Sequence, residues 1–249
     1  MNLDALTSDG GLAVLIDPAR TNARDAEETA RRAAGEGARA LLLGNSFGDD
    51  AQALAVARGL RRGANGVPVL QFPATAAQLV AAVDAVLLLS LVSGRNAQYL
   101  IEEHVRAVPF FERHPEIAAI STAYCLIDGG HVTSVESVSQ TRPLPADKPE
   151  LVAAHVRAAM LIGMQAVYLD AGSGASRAVS PVLIAAARAA TRGTLFVGGG
   201  VRSAGAVRAA REAGADYVVV GTIIEREGSR AVRDLADAAA TATPARVGA

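Results

Sequence analysis

The feature that most constrains the fold of this chain is the alternation of short apolar segments with longer amphipathic ones. Eight short apolar segments occur in 249 residues, and Gly, Asp, Ser or Pro follows each of them within a few positions. Strands of a parallel sheet have this composition, because helices cover both faces of the sheet and leave no polar side. The eight predicted strands comprise residues 12–16, 40–43, 69–72, 85–89, 117–124, 166–169, 194–197 and 217–220.

The segments between these strands have the composition and period of helices, and two of them begin at the start signals Ser180-Pro181 and Ser203. Eight βα units in about 250 residues match the size of a (β/α)8 barrel. We therefore predict an α/β fold, a single TIM barrel over residues 1–249, with its core at 10–240 and a frayed tail at 241–249. The predicted helices comprise residues 25–35, 50–61, 96–108, 149–163, 180–192 and 203–213.

Two stretches depart from this regular pattern. Residues 73–81 are few for a third helix, so we expect the barrel to be irregular there. The sequence Asp128-Gly129-Gly130-His131, after the fifth strand, has the composition of a tight turn. We interpret this turn as the opening of an extra hairpin before Pro149.

Composition limits where the protein acts and what it binds. The chain is 51% hydrophobic with a formal net charge of −1, which gives no general attraction to nucleic acid or to an anionic membrane. Its longest strongly apolar run, at residues 85–92, is far shorter than the ~20 residues that span a bilayer. Cys125 is the single cysteine. We expect a cytoplasmic protein without a transmembrane segment or a nucleic-acid partner.

Glycines follow the last two predicted strands, where TIM barrels often bind phosphate. Gly198, Gly199 and Gly200 come directly after the seventh strand, and Gly221-Thr222 comes directly after the eighth. Glycines let backbone N–H groups approach an anion closely, and a helix that begins nearby adds favourable partial charge. Tight turns between strand and helix would also need glycines, but two such loops in these positions favour a phosphate site.

Carboxylates follow two other predicted strands. Asp170 comes after the sixth strand, ahead of Gly172-Ser173-Gly174, and Asp17 comes after the first. A carboxylate near the hydroxyl of Ser46, after the second strand, suits Mg²⁺, which shares its remaining ligand positions with water and substrate phosphates. Asp17 could equally form the turn before Pro18.

Seven blocks, in order along residues 12–230, resemble the geranylgeranylglyceryl phosphate synthase family, which includes bacterial heptaprenylglyceryl phosphate synthases. The most specific block is Tyr168 to Ala175, with the sequence Tyr-Leu-Asp-Ala-Gly-Ser-Gly-Ala. The other blocks are residues 16–18, 44–46, 71–74, 90–96, 197–203 and 221–222.

The resemblance implies a Mg²⁺-dependent prenyltransferase. It would join an allylic prenyl diphosphate, of farnesyl to geranylgeranyl type, through an ether bond to a phosphorylated three-carbon acceptor. Asp17 and Ser46 would bind the metal, and Asp170 would orient the acceptor hydroxyl and receive its proton. Members of the family also associate, so we expect a homo-oligomer. The residues implied to bind substrate are Tyr124, Tyr168, Leu169, Asp170, Ala171, Gly172, Ser173, Gly174, Gly198, Gly199, Gly200, Gly221 and Thr222.

The chain departs from the family pattern at two places near the expected acceptor. Asp170 stands where the family usually has glutamate, and the apolar Leu15-Ile16 stands where several members have a basic residue within the first strand. One branch of this superfamily prenylates 3-phosphoglycerate. The acceptor is therefore left open between sn-glycerol 1-phosphate and 3-phosphoglycerate.

Two other functions are compatible with a phosphate-binding barrel. A phosphosugar isomerase or epimerase could use Asp17 and Asp170 as an acid–base pair, whereas a Schiff-base enzyme would need a lysine in the barrel mouth and the only lysine is Lys148. A barrel that binds a phosphorylated metabolite without turnover is the third possibility. Release of diphosphate from a prenyl diphosphate would distinguish the prenyltransferase from both.

Overall fold

The chain folds into a closed barrel of eight parallel strands, which follow one another around the barrel in chain order. This computed structural model describes residues 10–45, 50–227 and 230–243. The first and last strands pair in register from Gly11 with Tyr217 to Val14 with Val220, and this pairing closes the barrel. The TIM-barrel prediction is confirmed. The strands are β1 Gly11–Ile16, β2 Ala40–Asn45, β3 Val69–Pro73, β4 Ala85–Leu91, β5 Ala118–Leu126, β6 Ala166–Asp170, β7 Thr194–Gly198 and β8 Tyr217–Val220.

The buried side chains form two layers because successive residues of a strand point to opposite faces. Leu12 and Val14 pack outward against the helices, whereas Ala13 between them points into the barrel. On β6 to β8 the inner layer is aromatic: the ring centroids of Tyr168 and Phe196 lie 6.0 Å apart, and those of Phe196 and Tyr217 lie 5.1 Å apart. These rings fill the barrel interior beneath the mouth.

The helices begin where the sequence supplies caps. The side chains of Asn22, Ser180 and Ser203 each accept a hydrogen bond from a backbone N–H of the helix that follows. In the described part of the chain, the helices are α1 Ala23–Gly35, α2 Asp50–Gly63, α3 Glu103–Arg113, α4 Ser134–Ser139, α5 Pro149–Leu161, α6 Pro181–Ala190, α7 Ala204–Glu212, α8 Thr222–Glu227 and α9 Arg230–Thr241. None of the helices in these described ranges is long and apolar enough to cross a membrane.

The connection from β3 to β4 lacks a regular helix, as predicted. It contains one 3-10 turn, Ala76–Gln78. The side-chain carbonyl of Gln78 accepts hydrogen bonds from the backbone N–H groups of Ala74 and Thr75, at 2.9 and 3.2 Å. These contacts hold the segment as an ordered loop rather than a helix.

The hairpin predicted after β5 is wrong. The turn at Asp128 forms, with the N–H of Gly130 donating to Asp128 Oδ1 at 2.8 Å, but the chain then enters helix α4. Thr133 caps this helix by accepting a hydrogen bond from the N–H of Glu136 at 3.0 Å. The return segment makes a single parallel bridge between Ile127 and Leu144. Of the tail predicted to fray, residues 244–249 lie outside the described residues.

Candidate active site

A cavity of about 770 Å³ opens at the carboxyl ends of the strands, where TIM barrels have their active sites. One part is polar, lined by Asp170 and the loops after β6, β7 and β8. The other part, bounded by the β3–β4 loop, helix α3 and helix α4, is mainly apolar. The apolar lining includes Leu79, Leu88, Leu89, Tyr99, Ala107 and Val135. A cavity of this size and division suits an elongated amphiphilic ligand.

The carboxylate of Asp170 lies at the inner end of the polar part. The hydroxyl of Tyr124 donates a hydrogen bond to Oδ2 at 2.6 Å, and the N–H of Gly172 donates to Oδ1 at 2.7 Å. Asp170 ends β6 and is 9% exposed. Two donors from different elements therefore fix its orientation.

Burial changes the acid–base chemistry of this group. It raises the pKa of Asp170, although the hydrogen bonds from Tyr124 and Gly172 offset part of the effect. Burial, together with the charge of Asp170, also raises the pKa of Tyr124 well above its usual value. Tyr124 therefore remains a protonated donor at neutral pH, while Asp170 is a stronger base than an exposed aspartate.

The glycines after β7 are needed to pack the loops around Asp170. A Cβ on Gly199, whose φ is +80°, would lie 2.7 Å from Asp170 Oδ1 and 2.6 Å from the backbone nitrogen of Gly172. A Cβ on Gly198 would lie 2.4 Å from the hydroxyl of Tyr168. Packing alone thus requires both glycines: Gly199 lies against the β6 loop, and Gly198 lies against the ring of Tyr168.

The loop after β8 is less crowded. Gly221 and Thr222 line the cavity, and a Cβ on Gly221 would meet Leu15 at an ordinary 3.4 Å. Leu15, the apolar residue in the first strand that departs from the family pattern, also lines the cavity. This departure lies in the polar part of the cavity, beside the loop after β8.

The structure brings most of the predicted substrate residues together. Tyr124, Tyr168, Asp170, Gly172, Ser173, Gly174, Gly199, Gly200, Gly221 and Thr222 line the cavity. Three others lie behind this lining: Leu169 and Ala171 are buried in the outer core layer, and Gly198 packs beneath the ring of Tyr168. The side chains of Leu169 and Ala171 therefore act as packing groups.

Asp17 also lines the cavity, and it forms the turn that the sequence allowed as an alternative. Its Oδ1 accepts a hydrogen bond from the N–H of Ala19 at 2.9 Å, and its Oδ2 lies 3.9 Å from Nε of Arg20. Among the described residues no cluster of three His, Cys, Asp or Glu side chains forms a metal site. One carboxylate at the barrel mouth still fits Mg²⁺, whose remaining ligand positions water and substrate oxygens can fill. Ser46, the other predicted ligand, lies outside the described residues.

Sequence reasoning missed three charged residues of the cavity, which are Arg20, beside Asp17, together with Arg202 and Glu103. Arg202 lines it at the rim, and its guanidinium donates to the backbone oxygens of Ala175 and Gly174 at 2.8 and 3.2 Å. Arg202 is the first basic residue after the glycine triplet, and this position is the sequence feature that could have identified it. Glu103, on helix α3, reaches the apolar part of the cavity and has no comparable signal in the sequence.

Family models and curated relatives place the chain in the same family. The model of the PcrB family matches residues 10–239. A geranylgeranylglyceryl phosphate synthase of Spirosoma linguale is 39% identical over 215 residues, which are 86% of this chain and 86% of the relative. The corresponding synthase of Cenarchaeum symbiosum is 38% identical over 219 residues, 88% of this chain and 87% of the relative.

Solved structures agree with the fold. (S)-3-O-geranylgeranylglyceryl phosphate synthase from Thermoplasma acidophilum, in complex with sn-glycerol-1-phosphate, matches with a TM-score of 0.88 and 24% identity, over 95% of this chain and 96% of that one. Thiamine phosphate pyrophosphorylase from Pyrococcus furiosus matches with a TM-score of 0.60 and 16% identity, over 96% and 98%. Since the same barrel serves different enzymes, the fold alone does not assign a function.

Proposed function

The chain belongs to the PcrB family, and from this membership we propose that it transfers an allylic prenyl group from a diphosphate to a hydroxyl of a phosphorylated three-carbon acceptor. The observation that carries the proposal is the division of the cavity. Its polar part contains a buried carboxylate and glycine-rich loops, and its other part is apolar. The isomerase and the non-catalytic barrel give no reason for an apolar part of this extent.

The acceptor binds in the polar part. Its phosphate lies against the backbone N–H groups of Gly199, Gly200 and Gly221, with the hydroxyl of Thr222 and the guanidinium of Arg202 at the rim. The positive φ angles of Gly199 and Gly200, +80° and +70°, support this role. Tyr168, Ser173 and Gly174 lie beside the acceptor.

Asp170 acts as the general base. The acceptor oxygen forms a bond to C1 of the prenyl group while the bond from C1 to the diphosphate oxygen breaks. The hydroxyl proton passes to Asp170, and diphosphate leaves. The raised pKa of the Asp170 carboxyl supports this role, because a stronger base accepts the proton more readily. Tyr124 holds the carboxylate in position throughout the reaction.

Mg²⁺ belongs to the same proposal. The metal would supply positive charge that stabilises the leaving diphosphate. Asp17 would hold it, since its carboxylate lines the cavity and the turn uses Oδ1 as its cap. Capping the Pro18–Arg20 turn through Oδ1 orients Asp17 for this task. Ser46 is the second proposed ligand.

The acceptor is sn-glycerol 1-phosphate or 3-phosphoglycerate, and two residues of the polar part bear on the choice. Asp170 is one methylene shorter than the usual glutamate, and Leu15 replaces a basic residue beside Gly221. A direct test offers both acceptors in competition with farnesyl and geranylgeranyl diphosphate, and identifies the ether products by mass. Failure to form either ether would overturn the proposal.

We also propose that the chain forms homo-oligomers in the cytoplasm. Ile101, Val105 and Val108 follow one another at helical spacing and are 57%, 58% and 49% exposed. Such an apolar stripe on an outer helix supports contact with a second copy. Sedimentation of the purified chain, with Val105→Glu as the disrupting variant, tests this part of the proposal.

A further inference from the structure

A buried carboxylate joins helix α3 to the irregular loop between β3 and β4. Glu103, at the start of α3, is 9% exposed. Its Oε2 accepts a hydrogen bond from the N–H of Ala76 at 2.7 Å, and its Oε1 accepts one from the side-chain amide of Gln98 at 3.1 Å. The contact with Ala76 bridges 27 residues of sequence and reaches the 3-10 turn of the loop.

The other side of the loop is anchored to the barrel. The fully buried Gln71, on β3, donates to the backbone oxygen of Gln78 at 2.6 Å and accepts from the N–H of Val80 at 3.1 Å. Gln71 thus holds the end of the loop, and Glu103 holds its tip. The loop is fixed from two directions even though it has no helix of its own.

This loop is a wall of the cavity. Ala74, Thr75, Ala76 and Leu79 line the apolar part together with residues of α3. A carboxylate buried at this position is costly unless it is hydrogen-bonded. One carboxylate oxygen of Glu103 reaches the loop, whereas the other accepts from Gln98 and lies 3.7 Å from a guanidinium nitrogen of Arg106 on α3. Glu103 therefore links α3 to the loop.

We propose that Glu103 is a positioning residue for the prenyl substrate: it holds Ala76 so that the β3–β4 loop stays in place as a wall of the prenyl channel. This inference rests on the proposed function, because the apolar part must take the prenyl chain. Without the hydrogen bond from Ala76 to Glu103, the loop would have to become ordered when the prenyl chain binds. The entropy lost in this ordering would weaken binding. The polar part of the cavity, where the acceptor binds, is formed by other loops.

The test compares Glu103→Ala, Glu103→Gln and the neighbouring Glu102→Ala in the full chain. Glu102 is a matched control because it is an exposed acid on the same helical segment that shares the partner Arg106 with Glu103. Glu102→Ala therefore removes a contact with Arg106 and leaves the hydrogen bond from Ala76 to Glu103 intact. The glutamine keeps an acceptor for the N–H of Ala76 but loses the charge, so its values should lie between those of wild type and Glu103→Ala. Each variant is assayed for the KM of farnesyl diphosphate, for the KM of the acceptor, and for amide hydrogen exchange of residues 74–80.

We expect Glu103→Ala to raise the KM for farnesyl diphosphate and the exchange of the loop by about tenfold each, as loss of a hydrogen bond to a charged group would. The KM for the acceptor should change by less than about twofold. Equal rises in both KM values, unchanged exchange of the loop, or the same effect in Glu102→Ala would overturn the inference. A wild-type chain that transfers no prenyl group would overturn the proposed function instead, and hydrogen exchange would still decide whether Glu103 holds the loop.

Discussion

The hydroxyl of Tyr124 donates a 2.6 Å hydrogen bond to Oδ2 of Asp170. The two residues are 46 positions apart in sequence, and the pairing of β5 with β6 brings them together. Both groups are buried, so the bond stabilises the charged form of the carboxylate where water cannot. The acid–base behaviour of the site is therefore expected to depend on this pair.

The first prediction concerns the pH dependence of the reaction. Tyr124→Phe removes the side-chain donor that lowers the pKa of Asp170, so the pKa of the carboxyl should rise further. Since the base must be deprotonated, the acid limb of kcat/KM against pH should move to higher pH. Tyr168→Phe is the matched control, because it removes a second buried tyrosine hydroxyl of the cavity, whereas the donors to the Asp170 carboxylate are Tyr124 and Gly172. An acid limb in the same place for Tyr124→Phe and wild type would contradict the assignment.

The second prediction concerns stability. Folding raises the pKa of Asp170, so the folded state favours the protonated carboxyl; this contribution is complete below the unfolded pKa and is lost as pH rises through the folded pKa. Asp170→Asn removes the buried charge but turns an amide nitrogen toward one of the two donors, so its Tm at any single pH combines both effects. The difference in Tm between Asp170→Asn and wild type should move in favour of the variant as the pH rises from about 4 to about 7. Thermal unfolding of both proteins at these two pH values measures it, and a difference that does not change with pH would contradict this prediction.

The third prediction concerns the metal. Asp17→Asn keeps an oxygen that can cap the Pro18–Arg20 turn but removes the negative charge. Turnover at saturating Mg²⁺ should fall by about 100-fold or more with the fold intact. Circular dichroism and a Mg²⁺ titration of the rate distinguish the loss of metal binding from unfolding of the chain. Wild-type turnover in Asp17→Asn would remove Asp17 from the metal site.

The fourth prediction concerns the phosphate loops. Gly221→Val places its side chain in the cavity with little disturbance, because a Cβ there meets only Leu15 at 3.4 Å or more. It should weaken acceptor binding by about tenfold and leave prenyl diphosphate binding nearly unchanged. The control is Gly205→Ala in α7, where the added methyl meets nothing nearer than 4.0 Å. Calorimetric titration with each substrate would contradict the assignment if both affinities fell equally in Gly221→Val.

Gly199 is the less suitable position for that test. A side chain there would collide with the backbone of the β6 loop and with Asp170 Oδ1. Any substitution of Gly199 would therefore disturb the base and the phosphate loop together. The sequence alone treats Gly199 and Gly221 as equivalent, and only the packing separates them.

The sequence predicts the barrel well, because strands buried on both faces must be apolar throughout. The strand ends then place Asp17, Asp170 and the glycines at one mouth. The extra hairpin does not form because Thr133, with Glu136 three residues later, caps helix α4 directly after the turn at residues 128–131.

Contacts between distant segments could not be predicted in this way. In β5 and β6, Tyr124 is in register with Tyr168, so no local pattern places its hydroxyl against Asp170. Glu103 resembles its exposed neighbour Glu102 in sequence, and only the fold of the β3–β4 loop brings Ala76 to it. These contacts depend on how loops from different βα units meet at the barrel mouth.

The central claim is that Asp170 is the base for ether formation in this cavity. The most direct measurement is mass spectrometry of products from wild type and Asp170→Asn, each supplied with prenyl diphosphate, Mg²⁺ and both acceptors, with diphosphate release followed in parallel. We predict that wild type forms one prenyl ether for each diphosphate released. The folded Asp170→Asn variant should form the ether at a rate at least about 100-fold lower. No ether from wild type, or equal rates from the two proteins, would contradict the account.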